Sequence, residues 1–257
     1  MRHKENYIAF KTILIKEITR FMRIWSDTLL PPAISTALYF IIFGHVIGSQ
    51  IRSIDGFSYM QYIAPGLIMM AIITNAYSNV VSSFYLARFQ RSVEEMLVSP
   101  APNYIIMLGF VMGGVARGLL VGLVVTILAL FFTELQVTHL FMTFSIVILT
   151  ATLFSLAGFM NGIFARGFDD IALVPTFILT PLTYLGGVFY SVNLLPDFWK
   201  TASSANPILY MVDTFRYGIL GISDTNVPLS FGLISLMIVI LFAVNLRLLN
   251  KGVGIRT

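Results

Sequence analysis

The stretch Leu179–Arg216, LTPLTYLGGVFYSVNLLPDFWKTASSANPILYMVDTFR, decides how this chain folds. It opens as an apolar helix and loses its pattern at Gly186-Gly187. It then runs through Pro196 and Pro207 in pieces too short to cross a bilayer. A crossing helix needs about 20 apolar residues, and non-helical backbone at membrane depth persists only where protein or a water-filled cavity satisfies its amides. The expectation is a helix entering a broken re-entrant hairpin over 186–221. Gly186, Gly187, Phe189, Pro196, Pro207, Tyr210 and Arg216 are its candidate gate residues.

Composition agrees with a membrane setting. Hydrophobic residues make up 57% of the 257 and charged residues 11%, against about 45–50% and about 25% in soluble domains. Mean hydropathy is +0.87. Cysteine is absent, which excludes disulfides, thiolate chemistry and cysteine-built zinc sites. The net charge of +4 follows topology and is no nucleic-acid signal. The basic, patterned N-terminus does not read as a signal peptide.

Moving outward, residues 5–25 read as an amphipathic helix. Tyr7, Phe10, Leu14, Ile18, Phe21 and Trp25 recur at steps of three and four, with Glu5, Thr12, Lys16, Thr19, Arg20 and Arg23 opposite. It suits a helix lying in the membrane interface or a solvated stop before the first span. Spans are expected at 29–48, 59–86, 103–132, 140–164, 171–185 and 229–249, with Pro31-Pro32 in the first turn of the first. The fold class is therefore all-α, six transmembrane helices with the hairpin before the last.

Residues 90–102 are too polar to span. Ser92 and Glu95 have capping-box spacing, and Pro100 and Pro102 stop the short helix they start. Arg91, Glu94, Glu95, Met96 and Leu97 either dock a partner or merely close a loop.

Gly109, Gly113, Gly114, Gly118 and Gly122 form two overlapping small-residue ladders in the third span, and Gly158 and Gly162 one in the fourth. Arg117, at membrane depth, reads either as a pathway residue or as a structural arginine bonding backbone carbonyls.

Lys/Arg counting puts both termini in the cytoplasm. Arg2, Lys4, Lys11, Lys16, Arg20, Arg23, Arg88, Arg91, Arg166, Arg247, Lys251 and Arg256 then share that side. Arg52, Lys200 and Arg216 lie outside.

Two polar stripes stand out: Asn75, Asn79, Ser82 and Ser83 with Tyr77 in the second span, and Thr176, Thr180 and Thr183 with Tyr184 in the fifth. They either line a path or bond helices together. Their aromatic and aliphatic surroundings favour an amphipathic cargo over a small ion. No GxxxxGK[ST] is present, so nothing here cradles ATP phosphates. His3, His45 and His139 are scattered, which gives no support to a metal or catalytic site. Asp169-Asp170 fits a solvated helix start, with a proton relay as the other reading.

Gly186-Gly187, then Leu195-Pro196, Pro207-Ile208-Leu209-Tyr210 and Arg216, together resemble the C-terminal signature of ABC-2 type transporter permeases. PGLIMM (65–70), FDDIALVPTF (168–177) and TPLTYLGGVFYS (180–191) look most like the YadH group of bacterial inner-membrane permeases. The resemblance implies a homodimer, in the inner membrane, served by two copies of a separate cytoplasmic ATPase that binds ATP and Mg. It assigns ATPase contact to the N-terminal helix, with Lys16 and Arg20, and to 90–102. It has the second and fifth spans line the path and the hairpin close the outer end. The expected function is export of an amphipathic, drug-, lipid- or glycan-type substrate. An ion-coupled carrier working without an ATPase is the alternative, and an intramembrane enzyme lacks its constellation.

Overall fold

The computed structural model describes residues 2–48, 53–54 and 56–254. Arg52, Arg256 and part of the expected turn 51–58 lie outside them, as do the side chains of Arg2, His3 and His45. The described residues form helices α1 (Arg2–Arg23), α2 (Trp25–Tyr39, running on as π-helix Phe40–Ile47), α3 (Tyr59–Phe89) and α4 (Ser92–Val98). These are followed by α5 (Asn103–Ala129), α6 (Leu140–Phe164), α7 (Phe168–Val174), α8 (Thr180–Tyr184), α9 (Asp197–Ser204), α10 (Pro207–Leu220) and α11 (Val227–Lys251). Five are long and apolar enough to cross a membrane: α2 with its continuation, α3, α5, α6 and α11. The segment expected as the fifth span is helical in three short pieces, α7, a π-turn at Pro175–Leu179, and α8.

Helix α3 is the axis. Its 31 residues rise ~46 Å at 1.5 Å per residue, and α5, α6 and α10 pack around it. A capping box that the sequence reading passed over starts it: Ser58 Oγ accepts from Gln61 N–H at 3.3 Å while Gln61 Oε1 accepts from Ser58 N–H at 3.0 Å.

The glycine ladders of α5 divide their work. A Cβ on Gly109 would lie 2.5 Å from Ile13, and one on Gly113 2.6 Å from Glu17, so this pair admits α1. Gly114, Gly118 and Gly122 instead meet Val80, Ala76 and Ile72, and so admit α3. On the other side of α3, a Cβ at Gly158 of α6 would sit 2.5 Å from the Tyr77 carbonyl. Without side chains at these points the backbones reach contact distance.

Two local expectations are corrected. Ser92 does not cap α4. The N-cap is Arg91, at φ +60°, and Ser92 Oγ donates to the Ala87 carbonyl at 3.1 Å. The left-handed turn brings the chain back so soon after α3 that Ser92 falls inside the first turn. Pro31 and Pro32 lie inside α2, not at its start, because that helix begins at Trp25. The row of α1 buried against the bundle is Ile13, Glu17 and Phe21; of the expected apolar stripe, Tyr7 and Trp25 (the latter at the start of α2) are 64% and 56% exposed. The neighbour is a glycine-lined helix face, and only one narrow row of α1 fits against it.

Candidate functional site

Four polar features lie along α3. At its N-terminal end the chain after α8 folds over it. Gly187, at φ +71°, turns the backbone so that its carbonyl accepts from Arg216 Nη2 at 2.7 Å. Gly66 of α3 backs onto Val188, 2.6 Å from where its Cβ would meet the carbonyl. Arg216, 1% exposed, stacks on Tyr62 at 4.0 Å and donates from Nε to the Tyr62 carbonyl.

Two aspartates tie this region to the loop before α11. Asp213 accepts from Ser223 Oγ, Thr225 Oγ1 and the amides of Asp224 and Thr225, all at 2.6–2.9 Å, and faces Arg216 Nη1 at 3.8 Å. Asp224 accepts from Ser191 Oγ, the Val192 amide and Asn193 Nδ2. Every carboxylate oxygen here has a donor. A cavity of about 520 Å3 opens beside the cluster.

Of the other gate candidates, Phe189 is buried and stacks on Tyr184, with centroids 5.6 Å apart. Pro196 and Pro207 sit at the N-termini of α9 and α10, and Tyr210 donates to the Ser204 carbonyl. Gly186 abuts Ile208 of α10, 2.7 Å from its would-be Cβ.

Midway along α3, a groove of about 360 Å3 runs between α2, α3 and α5. Asp27, Ser35, Tyr39, Thr74, Asn75 and Arg117 supply its polar wall, and Leu67, Met70 and the two prolines its apolar wall. Asn75 Oδ1 accepts from Arg117 Nη2 at 3.3 Å and its Nδ2 donates to Ala71 O. Proline lacks an N–H, so Pro31 and Pro32 withdraw the helical donors that would pair with the carbonyls of Asp27 and Thr28. The groove therefore combines two charges, under-bonded carbonyls and aliphatic surface.

The expected pathway residues do not share this groove. Asn75 lines it. Tyr77 is buried at the α6 face, and Ser82 Oγ donates to the Ser78 carbonyl of its own helix. Thr176 and Thr180 are exposed, while Thr183 is buried and bonds Leu179 O. Tyr184 reaches the groove through its hydroxyl, 2.8 Å from that of Tyr39. Asp27, Ser35, Tyr39, Thr74 and Ser78 were missed, although Asp27, Pro31, Ser35 and Tyr39 recur every four residues and so share one helix face.

Asn79 and Ser83 turn to α1. Arg20 Nη2 donates to Asn79 Oδ1 at 2.7 Å and to its carbonyl at 3.1 Å. Ser83 Oγ donates to Glu17 Oε2 at 2.5 Å, and Arg20 Nε lies 3.4 Å from that oxygen. Glu17 is fully buried, yet Glu17 Oε1 and Asn79 Nδ2 have no partner among the described residues. Lys16 sits 5.6 Å above the Phe110 ring. The sequence reading passed over Glu17 because it breaks the apolar pattern it belongs to.

At the far end of α3, Arg88 Nη1 donates to the carbonyls of Gly162, Ile163 and Ala165, closing the C-terminus of α6. Gly254, left-handed at φ +71°, packs directly on the Ile163 carbonyl. Of the α4 candidates, Glu94, Glu95 and Arg91 are solvent-facing, and Met96 and Leu97 are half-buried against the bundle.

A chain of apolar helices laced together at glycines, with a polar groove and a stapled cap, fits the class expected from Leu179–Arg216. The family model described as ABC-2 type transporter matches residues 8–220, and the chain belongs to that family. It is 57% identical over 251 residues to the inner membrane transport permease YadH of Escherichia coli K12 and to that of Shigella flexneri, covering 98% of each chain. It is 24% identical over 249 residues to nodulation protein J of Rhizobium leguminosarum biovar viciae, covering 96% of this chain and 92% of that one.

Proposed function

We propose that the chain is the permease subunit of an ATP-driven exporter in a bacterial inner membrane. Two copies pair and work with two copies of a separate cytoplasmic ATPase, which binds ATP and Mg. The chain crosses six times, with α7–α8 as the fifth crossing and both termini in the cytoplasm. The segment 186–221 re-enters from the outer side and stays there as a lid. α4 and the exposed face of α1, through Arg91, Glu94, Glu95, Met96, Leu97 and Lys16, receive the ATPase, while Arg20, expected there too, turns inward to Asn79 and Glu17.

The groove between α2, α3 and α5 carries this reading. Its mixture of Asp27, Arg117 and hydroxyls with aliphatic wall suits a cargo that is polar at one end and apolar at the other. The partner protomer would close its open side and bring up the exposed Thr176 and Thr180. α1 holds α3 through Glu17 and Arg20, so a push on α1 from the ATPase would move the polar stretch of α3 directly.

Two experiments test this reading. Because the chain has no cysteine, single substitutions Phe198→Cys and Glu95→Cys report sidedness with an impermeant maleimide. Residue 198 should react in intact cells and residue 95 only after permeabilisation; labelling of both from one side would remove the topology. In vesicles holding permease and ATPase, Glu94→Lys with Glu95→Lys should abolish ATPase co-purification while leaving the permease inserted. Transport that persists without any ATPase would favour an ion-coupled carrier.

A further inference from the structure

We propose that the pocket beside α4 binds the phosphate of an anionic phospholipid from the adjoining leaflet. The pocket, about 300 Å3, lies where α3 ends, α6 ends and α7 begins. Arg88, Arg91 and Arg166 line it, with Glu94 the one acid among its described lining residues. The balance of charge is positive, in a space the size of a headgroup.

The three arginines are not equivalent. Arg88 is held by the α6 carbonyls, and its Nε is buried without a partner among the described residues. The guanidinium groups of Arg91 and Arg166 make no hydrogen bond or ion pair with the described residues. Their planar forks match phosphate oxygens two at a time. Arg91 is also the residue whose left-handed turn starts α4, so a phosphate gripped there would fix the angle of that helix.

The rim points to a lipid over a soluble anion. Phe89 and Phe168 are 65% and 56% exposed and pack edge-on, 5.6 Å apart, with Tyr85 completing the cluster. Apolar rings beside arginines suit the boundary between headgroups and acyl chains. The rings would cover the glycerol and first methylenes while the arginines hold the headgroup. This inference requires of the fold only that the helices cross a membrane; it shares Arg91 and Glu94 with the proposed ATPase contact, which is why displacement by the ATPase is one arm of the test.

The test uses the purified full chain in neutral detergent. Retained lipid is counted by native mass spectrometry, and the thermal midpoint is followed during titration with phosphatidylglycerol, phosphatidylcholine or inorganic phosphate. Phosphatidylglycerol should stay bound and raise the midpoint, and phosphatidylcholine should do neither. Arg91→Gln and Arg166→Gln should each weaken retention about fivefold, the worth of one basic residue at an anionic surface. Arg247→Gln, outside the pocket, should match wild type. Equal effects of the two lipids, or unchanged retention in the double variant, overturn the proposal. Inorganic phosphate alone reproducing the shift gives the pocket to a soluble anion. Complete displacement of phosphatidylglycerol by the ATPase gives it to an acidic protein partner.

Discussion

Two polar clusters hold α3 to its neighbours, and they are finished to different degrees. Around Asp213, Arg216 and Asp224 every carboxylate oxygen has a donor, and the guanidinium is stacked on Tyr62 as well as bonded. Around Glu17, Arg20, Asn79 and Ser83, one carboxylate oxygen and one amide nitrogen are buried with no partner among the described residues. A saturated buried network has one favourable arrangement and resists change, whereas a half-satisfied one gives little up when it rearranges. The comparison assigns rigidity to the hairpin end of the molecule and movement to the end held by α1.

The largest expected effect lies at the saturated cluster. Arg216→Ala leaves Asp213 buried without its counter-charge and should destabilise the protein by ~3–5 kcal/mol. Loss of the monodisperse peak after detergent extraction would register it. A variant as stable as wild type would dissolve the contrast. Gly113→Leu pushes a side chain into Glu17 and should be destabilising by ~1–3 kcal/mol. Its proteolysis should release α1 first, leaving the α3–α5 contact at Gly114 and Gly118 intact.

Gly187→Ala forces a Cβ into a left-handed turn and should lower stability by ~1–2 kcal/mol, seen as a lower thermal midpoint. Glu17→Gln keeps an acceptor for Ser83 and gives up a long, partly exposed pair with Arg20, a change of about 0–1 kcal/mol in stability. Transport should nevertheless fall severalfold, since the link between α1 and α3 is altered. Equal losses of stability and transport would make Glu17 a structural residue only.

The helices were legible because each carries its own signal: apolar runs of bilayer length, prolines just past the C-terminal end of α4, and glycines spaced for contact. The clusters were less so. Asn75, Asn79 and Ser83 form one stripe on paper, yet 100° per residue rotates Asn79 and Ser83 towards α1 while Asn75 meets Arg117. Asp213 and Asp224 looked unremarkable because their partners are backbone amides and hydroxyls from a loop. Which donors a turn presents depends on its conformation, and that is set by packing against α3. Glu17 was hidden for the opposite reason, being a charge in a row where only apolar residues were sought.

The docking of Gly254 on the end of α6 bears on how the protein is handled. Gly254 also lies beside Arg88 and lines the arginine pocket. A purification tag carried after Gly254 would crowd the surface next to α4 and obstruct that pocket, and handles placed ahead of α1 or removed by protease give the cleaner preparation.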